Sequence, residues 1–293
     1  MQGKRFAWLS PLFLLLSLLA AVAARAETEK GLLWRIETRE GAVSHLFGTI
    51  HSEDPRVLAL PEPVSRRFDS ARTLVLEMDL GAEDAVAMGQ AMMLPAGEAL
   101  RELLGPELYR QGVAAMAARG FPEAVVNRLQ PWALILTLSM PQPETGLFLD
   151  YLLYLKAAEL GKAVVGLERM DEQLAVFNSL SVNEQVSLLR DTLRDHDDFP
   201  RLFEQLLTTY LERDLQKLLA LSEQQNLRGS DSALQQRFMS SLVDERNRRM
   251  ASRLLPLLEK GGVFAAVGAL HLPGESGLVA QLRRQGLRVS PVY

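Results

Sequence analysis

The chain contains no cysteine. That absence excludes disulfides, thiolate metal sites, a cysteine nucleophile and a lipidated N-terminal cysteine. Histidine is scarce too, with four residues in 293. Basic charge is not in excess: the formal net charge is -4 and no basic cluster stands out, which argues against nucleic acid as a partner. Beyond the N-terminal segment no apolar run is long enough to cross a membrane; Phe148 to Leu155, for example, is broken by Asp150 and followed by Lys156. The chain has no P-loop, no Gly-x-Gly-x-x-Gly, no Gly-x-Ser-x-Gly and no His-Glu-x-x-His. Nucleotide binding and serine hydrolysis therefore lack motif support.

What is present begins with an export signal. Lys4 and Arg5 form a positive n-region, Leu12 to Ala24 an apolar h-region, and Ala24-Arg25-Ala26 a cleavage site. Cleavage after Ala26 removes Lys4, Arg5 and Arg25, taking the formal charge from -4 to -7. A disulfide-free exported chain suits a bacterial periplasm, or secretion, with no membrane attachment after signal cleavage. Residues 27–293 are enough for a substantial core. We expect one α/β domain there, with a helical region over about 82–260 interrupted by a strand at 163–168.

Two short stretches organise the rest. Leu46-Phe47-Gly48-Thr49-Ile50-His51 is an apolar run that ends in histidine, and Ala266-Val267-Gly268-Ala269-Leu270-His271 repeats it 220 positions later. Both read as a strand, then Gly-x-x-His, then a loop rich in Pro, Gly and acidic residues, then a helix. Buried parallel strands are short continuous apolar runs, and ligands gather beyond the carboxyl ends of such strands. A lone histidine there is more often structural. The repetition, using two of the four histidines, points to a shared function and predicts neighbouring strands running in the same direction. Glycine in each motif fits close backbone approach.

The remaining pattern predicts a mixed central sheet with two strand–GxxH–helix units and a large helical insertion. Leu32 to Glu37 and Ala42 to Ile50 form a hairpin, and Val57 to Ser70 is mostly helical. Thr73 to Asp79 is a strand ending in acid, expected to complete a parallel βαβ unit. Thr145 can cap a helix ending at Gly161, followed by a second acid-terminated strand, Lys162 to Glu168. Ser232 to Leu258 reads as one long Arg-rich helix, Val263 to Leu270 as a strand, Ser276 to Gln285 as a helix, and Leu287 to Val292 as a last strand.

Glu77 and Glu168 each stand where a buried strand runs out. A carboxylate there must be paired, hydrogen-bonded or metal-bound, and an arginine or helix N-terminus would satisfy either one. With His51 and His271 they make an imidazole and carboxylate set suited to Mn, Co, Zn or Fe. Asp79 is a weaker candidate, and Glu53, Asp54 and Glu275 read as solvated loop acids. Asp244 to Met250 is mostly a solvated helix face with i,i+4 pairing, yet Arg246 and Asn247 suit orienting a carboxylate or a substrate carbonyl. His45 reads as structural, His196 as part of an acidic loop, and Tyr151, Tyr154 and Tyr210 as packing residues.

Taken in order, Leu46 to His51, Leu76-Glu77, Gly166-Leu167-Glu168, Glu245-Arg246-Asn247 and Val267 to Leu272 resemble the TraB/PrgY/GumN family. Trp34, Pro131-Trp132 and Gly286-Leu287-Arg288-Val289 agree. The resemblance covers nearly all of the chain after the signal. The family includes TIKI proteins, which resemble divalent-metal-dependent proteases, and is similar in fold to erythromycin-esterase-like and haem-binding ChaN-like proteins. The resemblance implies metal ligation by His51 and His271, a ligand or general-base role for Glu77, and supporting roles for Arg246 and Asn247. Glu168 matches a family position of less defined role. The expected function is an exported metal-dependent hydrolase acting on peptide or protein substrates. The alternative is a non-catalytic periplasmic binding protein for peptide, haem or metal.

Overall fold

A computed structural model describes residues 30–79, 81–226 and 228–293. The expected signal segment lies outside the described residues. Among these, six strands form one mixed sheet: β1 (Leu33–Glu37), β2 (Val43–Thr49), β3 (Thr73–Met78), β4 (Ala163–Glu168), β5 (Val263–Gly268) and β6 (Arg288–Pro291), in the order β4-β3-β5-β2-β1-β6. β2, β5, β3 and β4 are mutually parallel, while β1 runs antiparallel to both β2 and β6. The hairpin is therefore β1–β2. The expected βαβ unit takes a modified form: β2 and β3 run the same way, but β5 lies between them.

β5 enters from the far end of the chain and becomes the sheet's spine. Val263 to Val267 are all buried, as a strand covered on both faces requires. Because four strands point the same way, their carboxyl ends open at one edge. His51, Glu77, Glu168 and His271 are all on or just beyond these strand ends.

Away from the sheet, a second apolar cluster gathers helices of the intervening region around Trp132, Met116, Leu134 and Leu189. Trp132 stacks on Phe177 with ring centroids 4.8 Å apart. The helices from Ala82–Ala91 through Ser232–Met239 lie between β3 and β5, with β4 among them.

Two helix boundaries differ from expectation. The stretch from Ser232 to Leu258 is not one regular helix: a π-helical segment, Ser240–Glu245, separates Ser232–Met239 from Arg246–Leu258. The first piece buries Leu234 and Phe238 in the helical cluster, and the second buries Met250, Leu254 and Leu258 against the sheet. Such a wide turn shifts the register of the buried stripe, so one continuous α-helix cannot serve both. Thr145 does not cap the helix Leu149–Glu159, whose N-cap is Phe148 without a side-chain bond. Thr145 instead donates its hydroxyl to Glu53 at 3.0 Å.

No helix among the described residues is long and apolar enough to cross a membrane.

Candidate functional site

The two motif glycines show why the strand ends need glycine. A Cβ on Gly48 would sit 3.1 Å from the Ala269 Cα, and one on Gly268 would sit 3.2 Å from Glu77 Oε1. The first motif thus packs its backbone against the short 3-10 turn of the second, Ala269–His271, and the second packs against a carboxylate. β2 and β5 are hydrogen-bonded neighbours, in register Gly48 to Val267 and Thr49 to Gly268. This is the strand relation that a site shared by the two histidines requires.

His271 is the buried member of the pair. Its Nδ1 lies 2.7 Å from Asn247 Oδ1, and Asn247 in turn donates Nδ2 to the Ser276 carbonyl at 3.0 Å. Since the amide NH2 is committed to Ser276, Oδ1 must be the atom facing His271, and Nδ1 must carry a proton. Burial lowers the imidazole's pKa; the Glu77 carboxylate pulls against this and Arg246 adds to it. Nε2, the nitrogen that Asn247 leaves unengaged, lies 3.6 Å from Glu77 Oε1.

Glu77 is held ionised. Burial works against its charge, but His271, Arg246, the Gly268 N–H and His51 outweigh it and bring the pKa down to about 2. Oε1 accepts the Gly268 N–H at 2.6 Å and Oε2 accepts Arg246 at 2.5 Å. Arg246 also donates Nε to Glu168 at 2.7 Å, so one guanidinium bridges two strand-end carboxylates. Glu168, its side chain wholly buried, takes Arg249 at 3.2 Å as well. Asn247 is 0% exposed and both its polar groups are used within the protein, so neither is left for a substrate carbonyl. Arg246 is similarly occupied. In this structure Arg246 contacts the Glu77 and Glu168 carboxylates, and Asn247 contacts His271 and Ser276.

His51 stands in a different environment. Its side chain is 45% exposed, its ring stacks on Phe148 at 4.8 Å, and Nδ1 lies 3.7 Å from Asp150 Oδ2. Asp150 escaped the sequence argument as a site residue. Its one signal is a charge inside an otherwise apolar segment, Leu147 to Leu155. Asp150 Oδ1 accepts the Thr49 hydroxyl at 2.7 Å, whereas the buried Oδ2 has no hydrogen-bond partner among the described residues. Burial raises the Asp150 pKa, and His51 and the Thr49 hydrogen bond counter this. Above Thr49, the buried Tyr210 hydroxyl donates to the Gly48 carbonyl at 2.9 Å.

The other candidates fall outside this crevice. Asp79 is exposed and accepts the Gly81 N–H, Asp54 caps the short helix Pro55–Leu58 and pairs with Arg56, and Glu275 is exposed. Glu53 is more than a solvated acid. It accepts backbone N–H groups of Glu144, Thr145 and Gly146, which clips the 144–146 loop beside the first motif and lowers the carboxyl's pKa. His45 lies within β2, and His196 in a 3-10 turn.

Among the described residues no three His, Asp or Glu side chains converge closely enough to enclose a metal ion. The chemistry of the donors nonetheless fits a divalent cation. His271 has its far nitrogen hydrogen-bonded to an amide carbonyl, the arrangement that orients metal-binding imidazoles. Its other nitrogen faces a Glu77 carboxylate oxygen at 3.6 Å, and the buried Asp150 Oδ2 has no hydrogen-bond partner among the described residues.

The architecture is thus that of an α/β protein with histidines and carboxylates gathered at the carboxyl edge of its parallel strands. The chain belongs to the TraB/PrgY/gumN family, whose sequence profile matches residues 32–291. It is 26% identical to the protein named Metalloprotease TIKI1 of Danio rerio over 88% of this chain and 62% of that one. It is 25% identical to Homo sapiens Metalloprotease TIKI1 over 88% and 61%. It is also 28% identical to YbaP, an uncharacterised protein of Escherichia coli (strain K12), over 82% of this chain and 87% of that one. The chain thus spans about three-fifths of the TIKI relatives it matches. No solved structure matches it.

Proposed function

We propose that this chain is an exported, divalent-metal-dependent hydrolase that cleaves peptide bonds. The observation that carries this reading is the His271–Glu77 pair, an imidazole nitrogen and a carboxylate oxygen 3.6 Å apart, with the other imidazole nitrogen held by Asn247 Oδ1. The metalloprotease relatives support the same class of chemistry. His51, His271 and Glu77 would hold the ion, with Mn, Co, Zn and Fe all suited to nitrogen and oxygen donors. A cation held there would supply Lewis acidity toward a scissile carbonyl and would lower the pKa of water.

The chain's own residues prepare that site. Asn247 selects the His271 tautomer by accepting the Nδ1 proton, which leaves Nε2 free. Arg246 keeps Glu77 charged in a buried setting, and Glu168 balances the remaining charge of Arg246. Both Glu77 oxygens already accept hydrogen bonds, Oε1 from the Gly268 N–H and Oε2 from Arg246, and Oε1 faces His271 Nε2. Between ligand and general base, Glu77 therefore suits the ligand role. Exposed His51, stacked on Phe148, stands on the side of the crevice from which substrate enters. Hydrolysis then adds the water oxygen to the carbonyl carbon and releases the amine with a proton.

The test begins with calorimetric titration of the purified protein against Mn, Co, Zn and Fe. The same titration is run on a variant carrying His51→Ala and His271→Ala. Wild type should bind at least one metal at least 100-fold more tightly than the double variant. Mass spectrometry of a peptide mixture should then show cleavage that a chelator abolishes. Equal metal affinity in the two proteins would remove the proposal; metal binding without cleavage would favour a binding protein.

A further inference from the structure

Resting on the metal-site proposal, we infer that Asp150 is a fourth donor of the site, paired with His51 as Glu77 is paired with His271. Each Gly-x-x-His unit steadies one carboxylate with a group of its own. In the second unit the Gly268 N–H donates to Glu77 Oε1 at 2.6 Å; in the first the Thr49 hydroxyl donates to Asp150 Oδ1 at 2.7 Å. Each unit then sets an imidazole nitrogen close to a carboxylate oxygen, 3.6 Å for His271 and Glu77 and 3.7 Å for His51 and Asp150. Two donors about 2.1 Å from one tetrahedral ion stand about 3.4 Å apart, so both pairs are spaced nearly as two ligands of a cation are.

The unsatisfied oxygen carries the argument furthest. Asp150 is 7% exposed, and among the described residues its Oδ2 has no hydrogen-bond partner. Buried carboxylates are retained when both oxygens are satisfied or when a cation offsets them. Asp150 also occupies the first turn of the helix Leu149–Glu159, where the helix dipole favours an acid. An acid on the solvent face of that turn would gain the same benefit without burial. The dipole therefore accounts for an acid in this turn but not for one aimed inward with a free oxygen.

Asp150→Asn tests the assignment because it keeps the shape and removes the charge. Zinc and manganese are titrated separately into the full chain as wild type and variant, and the thermal midpoint of each metal-free protein is measured. The expected result is metal affinity at least tenfold weaker in the variant. The metal-free variant should melt no lower than metal-free wild type, since an unsatisfied buried charge has been removed. Equal affinity in wild type and variant overturns the role of Asp150 and leaves the three-residue site intact. Failure of wild type to bind either metal overturns the metal-site proposal and this inference together. A metal-free midpoint that falls by several degrees with unchanged affinity identifies Asp150 as structural. Should Asp150→Asn not fold, Asp150→Ser is measured in the same way with the same expectations.

Discussion

The two Gly-x-x-His units share a local pattern and a place at the sheet edge, yet they are built into the molecule differently. His271 is locked: its ring is buried, its tautomer is set by Asn247, and its neighbour Glu77 is pinned from three sides. His51 is 45% exposed, and a stacked Phe148 and a buried aspartate are its company. The comparison teaches that a repeated motif fixes where a side chain begins, while elements distant in sequence decide what it faces. The helix Arg246–Leu258 covers the second unit, and the helix Leu149–Glu159 covers the first.

The comparison can be broken most severely at Arg246. Arg246→Ala leaves Glu77 and Glu168 as neighbouring buried carboxylates without their shared cation. Removing one partner of a buried ion pair costs about 3–5 kcal/mol. The loss is read from chemical denaturation, and an unchanged unfolding midpoint would show that Arg246 does not organise the second unit.

A smaller effect separates the histidines themselves. His271→Ala leaves Asn247 Oδ1 buried without its donor and opens a cavity beside the sheet, so about 2–3 kcal/mol of stability should be lost. His51→Ala removes an exposed ring and should cost less than about 0.5 kcal/mol. Both should abolish metal binding. Equal stability losses would erase the distinction between a locked and an open unit.

A third effect sharpens the comparison by removing a confounding source of acid sensitivity. His45 lies in β2, the strand leading to the first unit, and burial, with Arg67 and Arg35 adding to it, lowers its pKa from 6.5 to about 4. The unfolded chain therefore binds a proton that the folded chain refuses between those values. Its contribution is fully present above pH 6.5 and is lost as pH falls to about 4. After discounting for a half-exposed ring, the loss is about 1–2 kcal/mol. His45→Gln should flatten the stability profile over that window in denaturation at several pH values, and an unchanged slope would assign the acid sensitivity elsewhere.

Local pattern by itself indicated the strands, the glycines at their ends and the helical middle region, and it singled out His51, Glu77, Glu168 and His271 as residues at strand ends. Those features rest on burial of apolar runs and on backbone approach, both of which leave a mark within a few residues. Tertiary structure alone decided the rest. The insertion of β5 between β2 and β3 joins segments about 200 residues apart, which no local period records. The π-helical turn at Ser240–Glu245 arises because one helical stretch must serve two separate apolar clusters. Asn247 became a tautomer-setting residue because His271 and Ser276 meet it from another element. Asp150 accepts the hydroxyl of Thr49, 101 positions away. Its meaning is set by the low-polarity space around it, and burial of that kind exists only once the chain has folded.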